Sequence, residues 1–544
     1  MTVGLVGLLL AIGWAIAEGQ TKLFVLVGAA GAMCALAITR RGAFIGVLLL
    51  AAMNGIPYLD TSRTLASKYT FEDAAVFVLL LVAAAWILAG RGEYRPSRAG
   101  RAISRAGVVL LLWWLFTVGR TVAGHDVSLT HAASFGRDFA FFAALLALLP
   151  RVRLQERDIG ALLCVLLAGV VLFATGQVMT ALGVGQPGSL IHFRYTLAES
   201  GVTRVYASMT DLVTAGVALS VAACLLARRT AVRLVAAPVA ILLSTSTVVQ
   251  LTRARWVGLL VGLLVVTLWF LFNDNTPLSA TLRRRSALFL GALAFAVVAV
   301  VVAAPGIFSS GTVIHRLLSI FSDLQGSGSV ETRERVTKTM TSILGEKWLA
   351  GLGFLPPSAH YFQGLPEGSI RDSDVGVLNA VMTMGVLGAA LVYVPVVTML
   401  GSCLRRVSSN VATPYGWLRF GGAIWITGTL VSSVTLVTLF SPTGLTLVGV
   451  LLALLSNRSV LAGEGAALPD QSSAGAWRTA SQGRAVTLTP SRRRARTASI
   501  RFHRTRLDPD AIAPPVTPSG GTSSTPNTML ASRPTAIPPT AARS

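Results

Sequence analysis

The stretch VVQLTRARWVGLLVGLLVV, residues 248–266, places Arg253 and Arg255 inside what is otherwise one long apolar run. A guanidinium is costly in hydrocarbon, so arginines in such surroundings pair, snorkel to an interface or face a polar cavity. LTRAR is therefore expected to be the turn between two membrane spans and to sit at the membrane interface. The preceding segment STSTVVQ, residues 244–250, is rich in Ser, Thr and Gln, and the combination predicts a polar cavity opening at that surface.

The rest of the chain agrees with a membrane setting. It has 544 residues, 53% hydrophobic and 13% charged, with a mean hydropathy of +0.68, far too apolar for a soluble globular protein. Apolar stretches of roughly 15 to 25 residues, long enough to cross a core of about 30 Å as helix, recur along it. They run from Val3–Ala17 and Leu23–Thr39 to Val375–Leu400, Phe420–Phe440 and Thr443–Leu455, with one at Ser286–Ala304. The expected fold class is an all-α polytopic membrane protein with about 12 to 14 transmembrane helices. It carries a large helical extracytoplasmic loop and a disordered cytoplasmic tail.

The net charge of +23 first suggests a nucleic-acid partner, but the arginines are distributed otherwise. Arg40 and Arg41, then Arg91 to Arg105, Arg151 to Arg157, Arg228 to Arg233, Arg283 to Arg285 and Arg405 to Arg419 fall in every second loop. This is the positive-inside pattern, which places the amino terminus and the tail in the cytoplasm and leaves no role for nucleic acid. AIAEG, residues 15–19, resembles a signal-peptide cleavage site, yet no Lys or Arg precedes it and a retained first helix is expected. Cys34, Cys164 and Cys224 fall in expected spans and Cys403 in an expected cytoplasmic loop, with no disulfide framework or paired metal spacing.

Residues 1–455 form the expected membrane domain and residues 456–544 a basic Pro-, Ser- and Thr-rich tail, too polar to bury a core. The tail's SRRRARTASIRFHRTR, residues 491–506, is either a solvated segment or a contact with anionic membrane lipids. Of the external loops, 57–73, 181–210 and 305–374, the last is the expected working surface, because loops of that length are uncommon unless functional or disordered. Within it VETRERVTKTMTSILGEKWL sets Val336, Met340, Ile343, Leu344 and Trp348 at helical spacing, an amphipathic helix near residues 330–349. AGLGFLPPSAH, residues 350–360, ends it with Gly and Pro.

Arg253 and Arg255 thus have companions on the outer face: Arg333 at the start of the external helix, and Arg204 in GVTRVYASMTD just before a span. Converging guanidiniums suit a phosphate or diphosphate, which Arg grips with a planar fork. Lipid-phosphate snorkelling is the alternative for each arginine alone.

LTRARWVGLLVGLL, an Arg eighteen positions before GLGF, and DSDVGVLNAVMTMGVLG together resemble the O-antigen ligase and O-antigen polymerase superfamily, over roughly Arg204 to Gly388. The resemblance implies a metal-independent, inverting glycosyltransferase of the GT-C type in the bacterial cytoplasmic membrane. Its donor would be a glycan on undecaprenyl diphosphate and its acceptor the hydroxyl of a second glycan, with the site facing outside and no cofactor. Arg253 and Arg333 would hold the diphosphate, with Arg255 and Arg204 as auxiliaries. Where ligases commonly have a His acting on the acceptor, this chain has Asp374, a weaker base. His360 is the rival. DSD, residues 372–374, also spells a carboxylate pair for a divalent metal, the lesser alternative; no other histidine has ligand spacing. Two further classes stay open: a peptidoglycan polymerase of the shape, elongation, division and sporulation kind, and a flippase or transporter for a lipid-linked sugar.

Overall fold

The structure, a computed structural model, describes residues 31–56, 64–66, 69–90, 96–181, 195–199, 202–206, 209–227, 229–250, 252–273, 329–356, 376–410, 415–434, 439–457 and 460. Among them the chain is helical at 31–39 and in α1 (Arg41–Ala52), α2 (Phe71–Ala89), α3 (Arg98–His125), α4 (Leu129–Leu148), α5 (Glu156–Ala181) and α6 (Thr210–Leu226). It continues through α7 (Thr230–Val249), α8 (Arg253–Asn273), α9 (Ser329–Leu344), α10 (Gly376–Asn410), α11 (Trp417–Ser433) and α12 (Pro442–Ser456). Two short antiparallel ribbons, β1 (Thr64–Ala66) with β2 (Tyr69–Thr70) and β3 (Tyr195–Glu199) with β4 (Val202–Tyr206), interrupt the helices. The purely helical expectation did not include them, because short hairpins in loops leave no long periodic signal.

Six helices among the described residues are long and apolar enough to cross a membrane, and four shorter apolar ones accompany them, so the protein is a multi-pass membrane protein. The expected spans Val3–Ala17 and Ser286–Ala304, and the tail beyond residue 460, lie outside the described residues. Local chemistry sets several helix starts. Thr70 and Asp73 form a reciprocal capping box at the head of α2, and Ser97, Ser128 and Ser441 cap α3, α4 and α12 by accepting backbone N–H bonds. Cys403, expected in a loop, is buried within α10, which runs past its apolar stretch to Asn410.

Successive helices run in opposite directions, and their contacts define two ends. At one, Ser97 donates to the carbonyl of Ser456 (2.7 Å), Arg151 to Ser104 (2.8 Å) and Tyr415 to the carbonyl of Glu156 (3.1 Å). At the other lie Asp73 with Arg137 (3.1 Å), Asp211 with Arg255 (2.8 Å), and Thr121 with the backbone N–H of Phe354 (3.0 Å). The described arginine-rich segments at 40–41, 98–105, 151–157 and 229–233, with Arg405 late in α10 and Arg419 early in α11, therefore all sit at the first end. α8 lies antiparallel on α11 through Gly258 and Gly262: a Cβ on either would fall 2.5 or 2.4 Å from a carbonyl oxygen of α11. Four-residue spacing of glycines lets two backbones meet this closely.

Candidate functional site

α7 ends at Val249 and α8 begins at Arg253, so Arg253, Ala254 and Arg255, expected in the turn, open α8 instead, and this junction anchors a buried polar network. Arg255 Nη2 donates to Asp211 Oδ1 at 2.8 Å, from side chains 15% and 7% exposed. Its Nη1 donates to Gln250 Oε1 (3.3 Å), and Gln250 Nε2 to Gln177 Oε1 (3.4 Å), which also accepts from Ser246. Trp256 Nε1 donates to the carbonyl of Thr247 (2.8 Å) and closes the turn. The first turns of α6 and α8 and the last turns of α5 and α7 thus meet around one ion pair. Such a pair is tolerable in an apolar bundle because each charge has both a counter-charge and hydrogen-bond partners.

The loop after α9 builds the second part of the site. α10 is broken at Gly385, where φ is 73° and ψ 176°, a backbone region open essentially to glycine. The break frees carbonyls that would otherwise be bonded within the helix, and each finds a donor. Leu352 N–H donates to Met382 O (2.7 Å), Gly353 N–H to Thr383 O (3.0 Å) and Trp113 Nε1 to Met384 O (3.1 Å). Irregular backbone at membrane depth persists where protein satisfies it in this way. From α3, Arg120 grips the loop with two bonds, Nη1 to Gly351 O (2.8 Å) and Nη2 to Ala350 O (2.6 Å). Phe354 is buried, its ring 6.1 Å from that of Phe139 and close against Gly136. A Cβ on Gly385 would fall 2.1 Å from Leu349 O, and one on Gly351 2.5 Å from Gly385 N, so the loop and the helix break interlock through glycines.

α9 lies over this interlock. Met340 and Leu344 are buried against Leu352, Leu378 and Met382, with Val336, Ile343 and Leu355 at the margin. On the opposite side Lys338 pairs with Glu334 at 2.6 Å, and that bond holds the exposed Glu334 carboxyl below its usual range. Trp348, expected on the docked face, is 49% exposed: α9 ends at Leu344, and the 3-10 turn Gly345–Trp348 carries it out of phase.

Of the residues singled out from sequence, Arg255 is seen in full, bound to Asp211 and Gln250. Arg253 is the first residue of α8, Arg333 lies in the opening turns of α9, and Arg204 stands in β4 opposite Leu197. The side chains of these three are outside the described residues, as are Asp374 and His360 entirely. Among the described residues no three His, Cys, Asp or Glu side chains gather as a metal site would. Sequence reading had Ser246 and Gln250 within the polar STSTVVQ segment and missed Asp211, Gln177 and Arg120. Asp211 had a signal, an acid at the start of an apolar span, whereas Arg120 stood just past the expected end of a span at Val118, inside the longer α3, and gave no sign of its loop partner.

Residues 238–393 match the model of a family described as O-Antigen ligase. The matched segment starts in α7 and ends in α10, so it contains the polar turn, α9 and the interlock, and it covers less than a third of the chain. No curated protein matches the chain.

Proposed function

We propose that this chain, whose residues 238–393 match the O-antigen ligase family model, is a polysaccharide polymerase or ligase. It transfers a glycan from undecaprenyl diphosphate to a sugar hydroxyl on the outer face of the cytoplasmic membrane. The observation that carries this reading is the coincidence of the matched segment with the elements that build the site: the LTRAR turn, the external helix and the loop locked into α10. The orientation follows from charge. The arginine-rich segments lie at the end opposite the interlock, and the positive-inside tendency assigns that end to the cytoplasm.

In this reading the acceptor hydroxyl attacks the anomeric carbon from the face opposite the diphosphate and forms the new glycosidic bond. The old C–O bond breaks and its electron pair leaves on the lipid diphosphate. The hydroxyl proton passes to a base, Asp374 in the first instance and His360 as its rival. Arg253 and Arg333 hold the diphosphate, with Arg255 and Arg204 as auxiliaries. Cations fixed where charge develops stabilise the transition state more than the ground state, the contribution a metal supplies elsewhere. Arg255 suits an auxiliary place, since Asp211 already balances its charge and fixes its geometry.

The test is in vitro transfer with purified protein and lipid-linked donor. Arg253→Ala and Arg333→Ala are expected to lower turnover by at least about a hundredfold while the protein still purifies folded, and Arg→Lys to remain severe because an ammonium lacks the fork. Asp374→Asn should lose nearly all activity; survival there with loss in His360→Ala moves the base to His360. Full turnover in both alanine variants sinks the diphosphate site.

A further inference from the structure

The arginine-rich end holds a feature that glycan transfer does not use. A cavity of ≈ 660 Å³ there is lined by Arg41, Arg101, Arg105, Arg151, Arg153 and Arg157. They come from separate parts of the chain: the start of α1, the first turns of α3, and the turn that leads from α4 into α5. Asp158 is the sole carboxylate among the lining residues. It is 4% exposed, and its Oδ2 already accepts the backbone N–H of Gln155 at 3.0 Å. Among the described residues no ion pair reaches Arg105 or Arg157.

The walls are built rather than merely crowded. Arg151 Nε is held by Ser104 (2.8 Å), Arg101 Nη1 by the carbonyl of Pro96 (2.8 Å) and Arg41 Nη1 by the carbonyl of Arg153 (3.3 Å). The Arg41 guanidinium also lies 5.4 Å from the centre of the Trp86 ring. Positive-inside charge explains why these loops contain arginine. It does not explain why six guanidiniums from three segments converge on one concavity, where they repel one another unless an anion lies between them. Ile38, Trp86 and Ile87 form the cavity's apolar side, and Ile38 and nearby Leu88 are 63% and 55% exposed, as residues facing lipid tails would be.

We propose that this basin binds the phosphate of an anionic phospholipid headgroup, with the acyl chains lying along the exposed apolar surface of helix 31–39 and the end of α2. Guanidinium forks recognise the phosphate oxygens, and the apolar side selects a lipid over a small phosphate. The site is separate from the transfer site, and its occupancy does not depend on the proposed reaction.

Native mass spectrometry of the full chain, released from micelles containing phosphatidylcholine and phosphatidylglycerol, reads lipid retention directly. Wild type is expected to retain phosphatidylglycerol preferentially. Arg105→Gln with Arg157→Gln should lower that retention on the order of thirtyfold. Arg98→Gln with Arg229→Gln removes the same charge from the same end outside the basin and should change it by less than about threefold. The charge-preserving Arg105→Lys with Arg157→Lys keeps the test available should the Gln pair fail to fold, and is expected to lose only part of the retention. Equal losses in the basin and control pairs, or no preference for phosphatidylglycerol in wild type, would overturn the lipid assignment. A parallel titration with inorganic phosphate separates the sources. Binding of free phosphate that depends on Arg105 and Arg157, without lipid retention, overturns the lipid and leaves a soluble phosphate ligand in its place.

Discussion

Arg255 illustrates why one residue has to be read with its neighbours. In the sequence it is one of two equivalent arginines in a turn; in the structure Asp211, 44 positions earlier, neutralises it at 2.8 Å. Taking one member from such a pair leaves a buried charge, whereas replacing both with apolar residues removes the need for the pair. Asp211→Ala is therefore expected to destabilise the protein by about 3–5 kcal/mol, and Asp211→Leu combined with Arg255→Met by much less. Thermal unfolding in detergent followed by tryptophan fluorescence measures both. A single-variant cost below about 1 kcal/mol means the pair is not the anchor described. Gly385 makes a comparable case in backbone terms. Gly385→Ala must place a Cβ 2.1 Å from Leu349 O at a φ of 73°. The strain of about 1–3 kcal/mol, before any clash, is expected to release the loop. Faster hydrogen exchange at the Leu352 and Gly353 amides would report it, and unchanged protection would count against the interlock.

At the scale of elements, α9 shows how far periodicity carries. The spacing of Val336, Met340, Ile343 and Leu344 marks one apolar side, and that side is the one that packs on α10 and the loop. What the spacing does not supply is the surface beneath it, assembled from Leu352, Leu378 and Met382 across a helix break. Met340→Asp puts a carboxylate into that apolar contact without a partner and is expected to detach α9, at a cost of roughly 2–5 kcal/mol. Limited proteolysis at Arg333, Arg335 and Lys338 would then accelerate at least tenfold over wild type, while Lys338→Asp on the solvent side should leave the rate within about twofold. If both variants are cut alike, α9 is not held by this contact.

For the whole molecule the governing feature is the sorting of charge between two ends. Arginine-rich segments collect at one end of the bundle, and the Asp211–Arg255 network, the interlock and α9 lie at the other. With the first end cytoplasmic, cysteines placed at Asp126 and at Glu346 are expected to react with a membrane-impermeant maleimide added to intact cells. A cysteine at Arg98 or Arg229 should react only after permeabilisation. The reverse pattern inverts the bundle and removes the outward-facing site with it.

Much of this architecture was legible without coordinates. Apolar length and alternating charge depend on what each segment can pay for locally in hydrocarbon, so Phe71–Ala89, Glu156–Ala181 and the turn at LTRAR could be read one segment at a time. The amphipathic side of α9 could be read in the same way. The partners could not. Asp211 with Arg255, Arg120 with the carbonyls of Ala350 and Gly351, and the glycine contacts between Gly351 and Gly385 join residues from 34 to 231 positions apart. Only packing brings them together, because a buried charge or a freed carbonyl takes whichever partner the finished bundle places beside it, and composition and spacing carry no record of that choice.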